Sequence, residues 1–408
     1  MTKLSSHEVT ILLIQLSVML MMGRLFAEAV RKIKQPAVIG EILAGIILGP
    51  TILGMINPDF FHSLFPVGSS SLVLDGFVQV AVVMLLFIAG LEVELHIVLQ
   101  QGRQVIYTST LGLIIPFAMG FFFTYFFPLF FDSNAEQQHL AYSFFMGTAM
   151  AITALPVIAR ILMDLDIFKS RMGMLVISSA IITDLIGWLI FSVVLGMIGK
   201  DQNMLIWNTV MLTVGFTVIM LTLGRGLINR GLPWVNQKLT WPGGLLSLSL
   251  ATCFLAAAFT KYIGIHAIFG AFIVGVALSD SEHFNKRAKE IAHQFINNIF
   301  APLFFVSIGL KVNFMDNFDP TLTLVIIAIA FTGKIIGSGL GTRLGGYTWR
   351  ESMAVAFGMN ARGAMEIILG LIALENGLIN ERVFVSLVIM ALVTSMSSGP
   401  LMKWMLRK

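Results

Sequence analysis

The chain is 408 residues long, 57% hydrophobic and 12% charged, with a mean hydropathy of +0.89. Soluble domains carry about a quarter charged residues, so a soluble globular protein is excluded, and apolar runs of about 20 residues recurring along the chain make it an all-α polytopic membrane protein. The net charge of +4 and the pI near 9.2 come from Lys and Arg scattered over many connections rather than clustered, which argues against a nucleic-acid partner.

In chain order, apolar runs predict helices near residues 8 to 30, 36 to 54, 72 to 99, 104 to 131, 139 to 163, 170 to 199, 204 to 228, 243 to 260, 263 to 280, 292 to 312, 321 to 345, 351 to 374 and 380 to 404, about thirteen spans. The first run follows Lys3 as a signal peptide would, but it continues to Arg24 and no small-residue cleavage site follows, so it is read as a span. The connections are short, and residues 1–408 read as a single transmembrane domain without a soluble regulatory domain. Cys253, the one cysteine, lies in an apolar run, can form no internal disulfide, and reads as a small packing residue.

Orientation follows from the basic residues. Alternating the connections between the two faces puts eighteen Lys and Arg, from Arg31 and Lys32 to Arg407 and Lys408, on one side, against Lys3, Lys200, Lys261, Lys311 and Arg382 on the other. The positive side is the cytoplasmic one, so the N-terminus is expected outside and the C-terminus inside, in a plasma membrane or bacterial inner membrane.

Three basic residues remain. Arg24 can snorkel to an interface, whereas Lys334 and Arg362 fall well inside predicted spans. With Asp184, Glu41 and Glu366 they form an intramembrane set of both signs. The most informative member is Asp184, a lone carboxylate in Ser178-Ser-Ala-Ile-Ile-Thr183-Asp184-Leu-Ile-Gly-Trp188. A charge at the bilayer centre costs several kcal/mol, so such a residue marks an ion path more often than a packing contact, the plainer alternative.

An internal repeat is visible. Phe87-Ile-Ala-Gly90-Leu91-Glu-Val93-Glu-Leu95 returns as Val306-Ser-Ile-Gly309-Leu310-Lys-Val312-Asn-Phe314, and Pro36-Ala-Val-Ile-Gly40-Glu-Ile-Leu-Ala-Gly45 returns as His266-Ala-Ile-Phe-Gly270-Ala-Phe-Ile-Val-Gly275. Six-helix units over residues 8–199 and 243–404, with one helix between, would enter the membrane from opposite sides: two inverted repeats, with a site at the midplane formed by discontinuous helices. Breaks are expected at corresponding places. Thr153-Ala-Leu-Pro156 interrupts the fifth span, since proline removes a backbone donor, and Asn360-Ala-Arg-Gly363 interrupts the twelfth. Crossing half-helices would present dipole ends of both signs, which Asp184, Lys334, Arg362 and Glu366 could neutralise. An ordinary proline kink and a glycine packing contact are the plainer reading of either break alone.

The segments Lys34-Gln-Pro-Ala-Val-Ile-Gly-Glu-Ile-Leu-Ala-Gly-Ile-Ile-Leu-Gly-Pro50, Leu85-Leu-Phe-Ile-Ala-Gly-Leu-Glu92, Thr153-Ala-Leu-Pro-Val-Ile-Ala-Arg-Ile-Leu162, Gly270-Ala-Phe-Ile-Val-Gly275 and Pro302-Leu-Phe-Phe-Val-Ser-Ile-Gly309 resemble the monovalent cation:proton antiporter family 2. The resemblance, over about residues 8 to 400, implies thirteen helices, a homodimer, a dimerisation domain, and a moving core domain in which discontinuous helices cross. It implies ion binding at Asp184, a charge-compensating role for Lys334, unwound crossing positions at Thr153 and Asn360, a second crossing region containing Arg362 and Glu366, and an accessory role for Glu41. Thr183 stands where similar members often carry Asn, Asp or Gln, which leaves stoichiometry open.

The expected function is exchange of a monovalent cation, sodium or potassium, for protons by alternating access, without cofactor and without enzymatic chemistry. Burial and Lys334 act on Asp184 in opposite senses, so that it can hold either a proton or a partly dehydrated cation. Thr153, Thr183, Ser178, Ser179 and backbone carbonyls offer the oxygen ligands a hard ion needs. A cation channel, or an organic-anion symporter using Arg362, remains the alternative. The seven histidines show no metal-ligand spacing, Gly337-Ser-Gly-Leu-Gly341 lacks the strand and third glycine of a dinucleotide loop, and the Phe121-Phe-Phe123 and Phe126-Phe127 runs read as lipid-facing or core aromatics.

Overall fold

The computed structural model describes every residue except 1–3, 34, 94–101, 132–137, 169, 199–205, 280, 282–283, 285 and 408. The expected ends of the third and sixth spans (94–99 and 199), the start of the seventh (204–205), and Leu95, Lys3, Lys34, Lys169 and Lys200 lie outside the described residues.

The regular elements among the described residues are all helices: α1 Ser6–Lys32, α2 Ala37–Leu48, α3 Ser69–Glu92, α4 Arg103–Phe126, α5 His139–Ala151, α6 Leu155–Asp164, α7 Arg171–Ile198, α8 Ile206–Ile219, α9 Arg225–Lys238, α10 Gly243–Tyr262, α11 Ala267–Ser279, α12 Lys286–Phe295, α13 Ala301–Lys311, α14 Pro320–Leu344, α15 Trp349–Met359, α16 Ala364–Glu375 and α17 Glu381–Leu406. Short helical turns Leu53–Ile56, Pro58–Leu64 and Pro128–Phe131 fill connections, and π turns at Met220–Gly224 and Ile296–Phe300 join α8 to α9 and α12 to α13. The helices start where the sequence supplies acceptors for their free N–H groups. Ser5 and Glu8 form a reciprocal capping box before α1, Thr348 and Glu351 do so before α15, and Asp319 accepts from Thr321 and Leu322 at the head of α14.

Among the described residues, eleven helices are long and apolar enough to cross a bilayer, and the bent pair α15–α16, 45° at its break, makes a twelfth. The count of thirteen spans is not reached by this measure. The predicted span at 263 to 280 is α11, which at 13 residues is about 20 Å long against a hydrocarbon core of about 30 Å. It survives at this length because it is enclosed by protein, buried from Ile268 to Ser279.

Backbone-to-backbone contacts at glycine organise the bundle. A Cβ at Gly45 would run into the Val306 carbonyl and one at Gly49 into that of Gly309, which joins α2 to α13; at Gly90 and Gly275 it would strike the carbonyls of Phe272 and Phe87, which joins α3 to α11. These are the four helices that carry the repeated segments, and each rests on the counterpart of its neighbour. α4 and α14 meet in the same close way, with Gly337 against Leu111 and Gly341 against Tyr107 and Thr108, and a Thr108–Thr342 hydroxyl bond of 3.2 Å. Of the Phe runs, Phe122, Phe123, Phe126 and Phe127 face outward, while Phe121 stacks on Phe117 and Tyr125 along α4.

Candidate functional site

The chain unwinds twice inside the bundle, at 152–154 between α5 and α6 and at 360–363 between α15 and α16. Both breaks are where the sequence analysis set them, with Pro156 in the first turn of α6 and Gly363 immediately before α16. The two loops touch. Ala154 N–H donates to Ala361 O at 2.9 Å, Thr153 Oγ1 donates to Met359 O at 3.0 Å, and an added Cβ on Gly363 would sit 3.0 Å from Val157 and 3.2 Å from Ala154. The crossing therefore brings together two helix C-termini, of α5 and α15, and two N-termini, of α6 and α16.

Three of the four ends meet a group of the opposite sign. Arg362, fully buried, donates to Ala149 O at 2.5 Å and Met150 O at 2.6 Å, which closes the C-terminus of α5, and pairs with Glu366 Oε1 at 2.9 Å in the first turn of α16. Carbonyls with no intrahelical partner and a partial negative charge are what a guanidinium in low dielectric satisfies best. Ser395 of α17 fastens the second loop by accepting from Arg362 N–H at 3.2 Å and donating to Arg362 O.

Asp184 on α7 is 1% exposed. The amides of Thr153 and Leu155, at the positive end of α6, are near enough to act on its charge, although neither completes a hydrogen bond of ordinary geometry. Both carboxylate oxygens are without a hydrogen-bond partner among the described residues, unusual for a buried acid. Lys334, also fully buried, lies within electrostatic reach of Asp184, Arg362 and Glu366 but gives its hydrogen bond to Gly112 O at 3.0 Å on α4. It is a nearby counter-charge, not a direct ion pair.

The remaining predicted residues are distributed less closely. Thr183 donates to Ala180 O at 2.9 Å in its own helix. Ser178 and Ser179 are buried with hydroxyls unpartnered among the described residues, but six and five residues from Asp184 they stand about 120° and 140° round the helix from it. Asn360 is buried at the crossing with both amide atoms unpartnered among the described residues. Glu41, buried on α2, has Arg24 and Arg31, not the charges of the crossing, as its charged neighbours. No His, Cys, Asp and Glu grouping among the described residues suits a metal ion.

The space approaching Asp184 differs on its two sides. A cavity of about 700 Å³ runs between α3, α6, α7 and α12 and reaches Leu155, Pro156 and Ile181, of which Ile181 stands three positions before Asp184 on α7. Arg160, Lys286, Lys289, Glu290 and the pair His293–Glu92, 3.1 Å apart, line it towards the face rich in Lys and Arg. Beyond Asp184 the helix is sealed by aromatic rings, Trp188 lying 5.9 Å from both Phe191 and Phe272, and the cavity found there is only about 10 Å³. Sequence reasoning missed Gly112, Ser395 and the Glu92–His293 pair. Glu92 is marked only by its place in the repeated segment and in a segment that carries the family resemblance, and nothing local singles out the other three.

Comparison with known proteins agrees with this architecture. A family model for the transmembrane part of sodium/hydrogen exchangers matches residues 17–408. The Na(+)/H(+) antiporter NhaS4 of Synechocystis is 31% identical over 397 residues, 96% of this chain and 97% of the relative. Cation/H(+) antiporter 17 of Arabidopsis thaliana and K(+)/H(+) antiporter 1 of Saccharomyces cerevisiae are each 30% identical over 97% of this chain, which spans 48% and 46% of their lengths. Among solved structures, the sodium proton antiporter MjNhaP1 of Methanocaldococcus jannaschii superposes with a TM-score of 0.69 over 97% of both chains at 16% identity, a likeness of fold. The chain is a multi-pass membrane protein and belongs to the sodium/hydrogen exchanger family.

Proposed function

We propose that the protein exchanges a monovalent cation, sodium or potassium, for protons by alternating access, with Asp184 holding one or the other. The observation that carries this reading is a buried carboxylate with two oxygens unpartnered among the described residues, beside the meeting point of two broken helices, with a 700 Å³ cavity ending within a helical turn of it on one side and packed aromatic rings on the other. A channel would need both faces open at once. The names of the relatives, Na(+)/H(+), K(+)/H(+) and cation/H(+) antiporters, support the same reading.

In this reading the positive end of α6 and Lys334 stabilise ionised Asp184, and loss of water on burial opposes them, so a bound proton or cation restores the balance. Thr153 and the free carbonyls of the crossing are the nearest further oxygens, and Arg362 with Glu366 keeps the crossing folded and its ends neutral. The two repeats, 8–199 and 243–404, supply one broken helix each, a reading supported by the reciprocal contacts of α2 with α13 and α3 with α11. The basic face is cytoplasmic, which makes this an inward-facing arrangement with the N-terminus outside. A homodimer fits the broad uncovered faces of α1, α8–α9 and α10, the least buried of the spans.

The test is proteoliposomes under an imposed pH gradient, with Na+, K+ or Li+ added. Collapse of the gradient by a cation, lost in Asp184→Asn while the variant keeps its fold, is the expected result. Cation-dependent, saturable proton movement retained in Asp184→Asn refutes the role of Asp184.

A further inference from the structure

The 10 Å³ pocket on the sealed side is small and its wall is mostly apolar, but three of its lining residues carry buried polar atoms. It is lined by Trp188 and Ser192 of α7 and His266 at the head of α11, closed by Phe191, Leu195, Ile268, Phe269 and Ile372. Trp188 and Ser192 are each 2% exposed, and Trp188 Nε1, Ser192 Oγ and His266 Nδ1 all lack a hydrogen-bond partner among the described residues. Three such groups on the residues of one cavity are not expected of a plain hydrophobic seal, because each orphaned polar group costs about 1–3 kcal/mol. The space is about that of one water, which commonly makes about three hydrogen bonds when buried. An indole N–H that donates, a hydroxyl that does both, and an imidazole nitrogen provide them.

Position gives the pocket a meaning. Trp188 and Ser192 follow Asp184 by four and eight residues, about 6 and 12 Å further along the helix axis, on the side away from the large cavity. We propose that Trp188, Ser192 and His266 form the outer waypoint of the ion path: they hold one water while Asp184 faces inward and line the route by which the small hydrated ion reaches Asp184 when it faces outward. This rests on the exchange reading. It assigns the outer route to the seam between α7 and α11, and makes His266 a positioning residue, not a ligand of the bound ion.

Two measurements test it. Cys253→Ala gives a cysteine-free background, in which Ser192→Cys is treated during turnover with trimethylammonium-ethyl methanethiosulfonate, a membrane-impermeant cation, from either face. Labelling from the outer face alone is expected, with Ala159→Cys in the large cavity labelled from the inner face alone. Labelling of Ser192→Cys from the inner face, or from neither, overturns the proposal. Separately, His266→Leu is expected to raise the outer-face KM for the cation about 2- to 10-fold, the value of one hydrogen bond, leaving the inner-face KM unchanged, with His266→Asn restoring it. Equal shifts on both faces, or none, overturn it. If the unmodified protein exchanges no ions, the functional reading fails, while outer-face labelling would still identify the seam as a water route.

Discussion

Replacing Arg362 by Met should damage the fold more than any other single change at the crossing. The side chain is fully buried and makes three hydrogen bonds, to Ala149 O, Met150 O and Glu366 Oε1. Methionine fills similar space but leaves a buried carboxyl without its partner and two helix-end carbonyls without donors. Breaking a buried pair by removing one member costs about 3–5 kcal/mol, because the survivor stays desolvated. With an unfolding entropy of about 2.1 cal/mol/K per residue, roughly 0.9 kcal/mol/K for the whole chain, that lowers the melting temperature by roughly 3–6 °C. Glu366→Met combined with Arg362→Met removes the stranded acid and should recover about half of the loss. Thermal melting of purified protein in detergent, read by loss of the monodisperse peak, measures both. A single variant that melts within 1 °C of the parent, or a double variant that melts at the sum of two large single losses, would refute the claim that the pair exists to satisfy the crossing.

Three further outcomes are expected. Gly45→Val puts a side chain into the Val306 carbonyl and should cost about 1–3 kcal/mol, seen as a lower melting temperature; a neutral effect would mean that α2 and α13 are not locked. The amide of Leu322, with Arg382 at 2.7 Å and the amide of Thr321, holds the Asp319 carboxyl below its ordinary range. Since the folded value lies below the unfolded one, near about 3.9, this stabilisation is complete above that pH and is lost as pH falls through the folded value; Asp319→Asn should flatten the acid limb of the melting-temperature profile, and an unchanged limb counts against it. Finally, Asp184 is the one unpaired acid at the crossing among the described residues, with Thr183 rather than a second carboxylate before it. Swapping one cation for one proton there moves no net charge, so flux in vesicles should not respond to a potassium–valinomycin potential, and a strong response would require a second charge carrier.

The elements were largely legible because bilayer physics leaves a chain few choices: every predicted run contains helix, and the breaks at Thr153 to Pro156 and Asn360 to Gly363 announce themselves through proline and glycine. The charges Asp184, Lys334, Arg362 and Glu366 stood out against an apolar background for the same reason, and the crossing gathers all four within electrostatic reach. What could not be read is pairing. That Arg362 caps α5, more than 200 residues away, or that Lys334 turns to Gly112, depends on which helices meet, and composition does not carry that. Ser178 and Ser179 show the other limit, since nearness in sequence to Asp184 does not give nearness in space when helical phase separates them. The length of α11 was overestimated because an apolar run measures hydrophobicity, and a helix wrapped by protein has no need to reach both surfaces.

The bond between Ala154 and Ala361 welds the two unwound strands into one cartridge. Both residues are buried away from water, where breaking that peptide hydrogen bond is costly, so the loops should travel together or not at all. The charges, the oxygens and the spacing around Asp184 are then the same whichever solution they meet. Discrimination between ions becomes a property of the cartridge, and timing becomes a property of the seams against which it slides, so mutations should separate into those that change which ion is chosen and those that change only how fast it is carried.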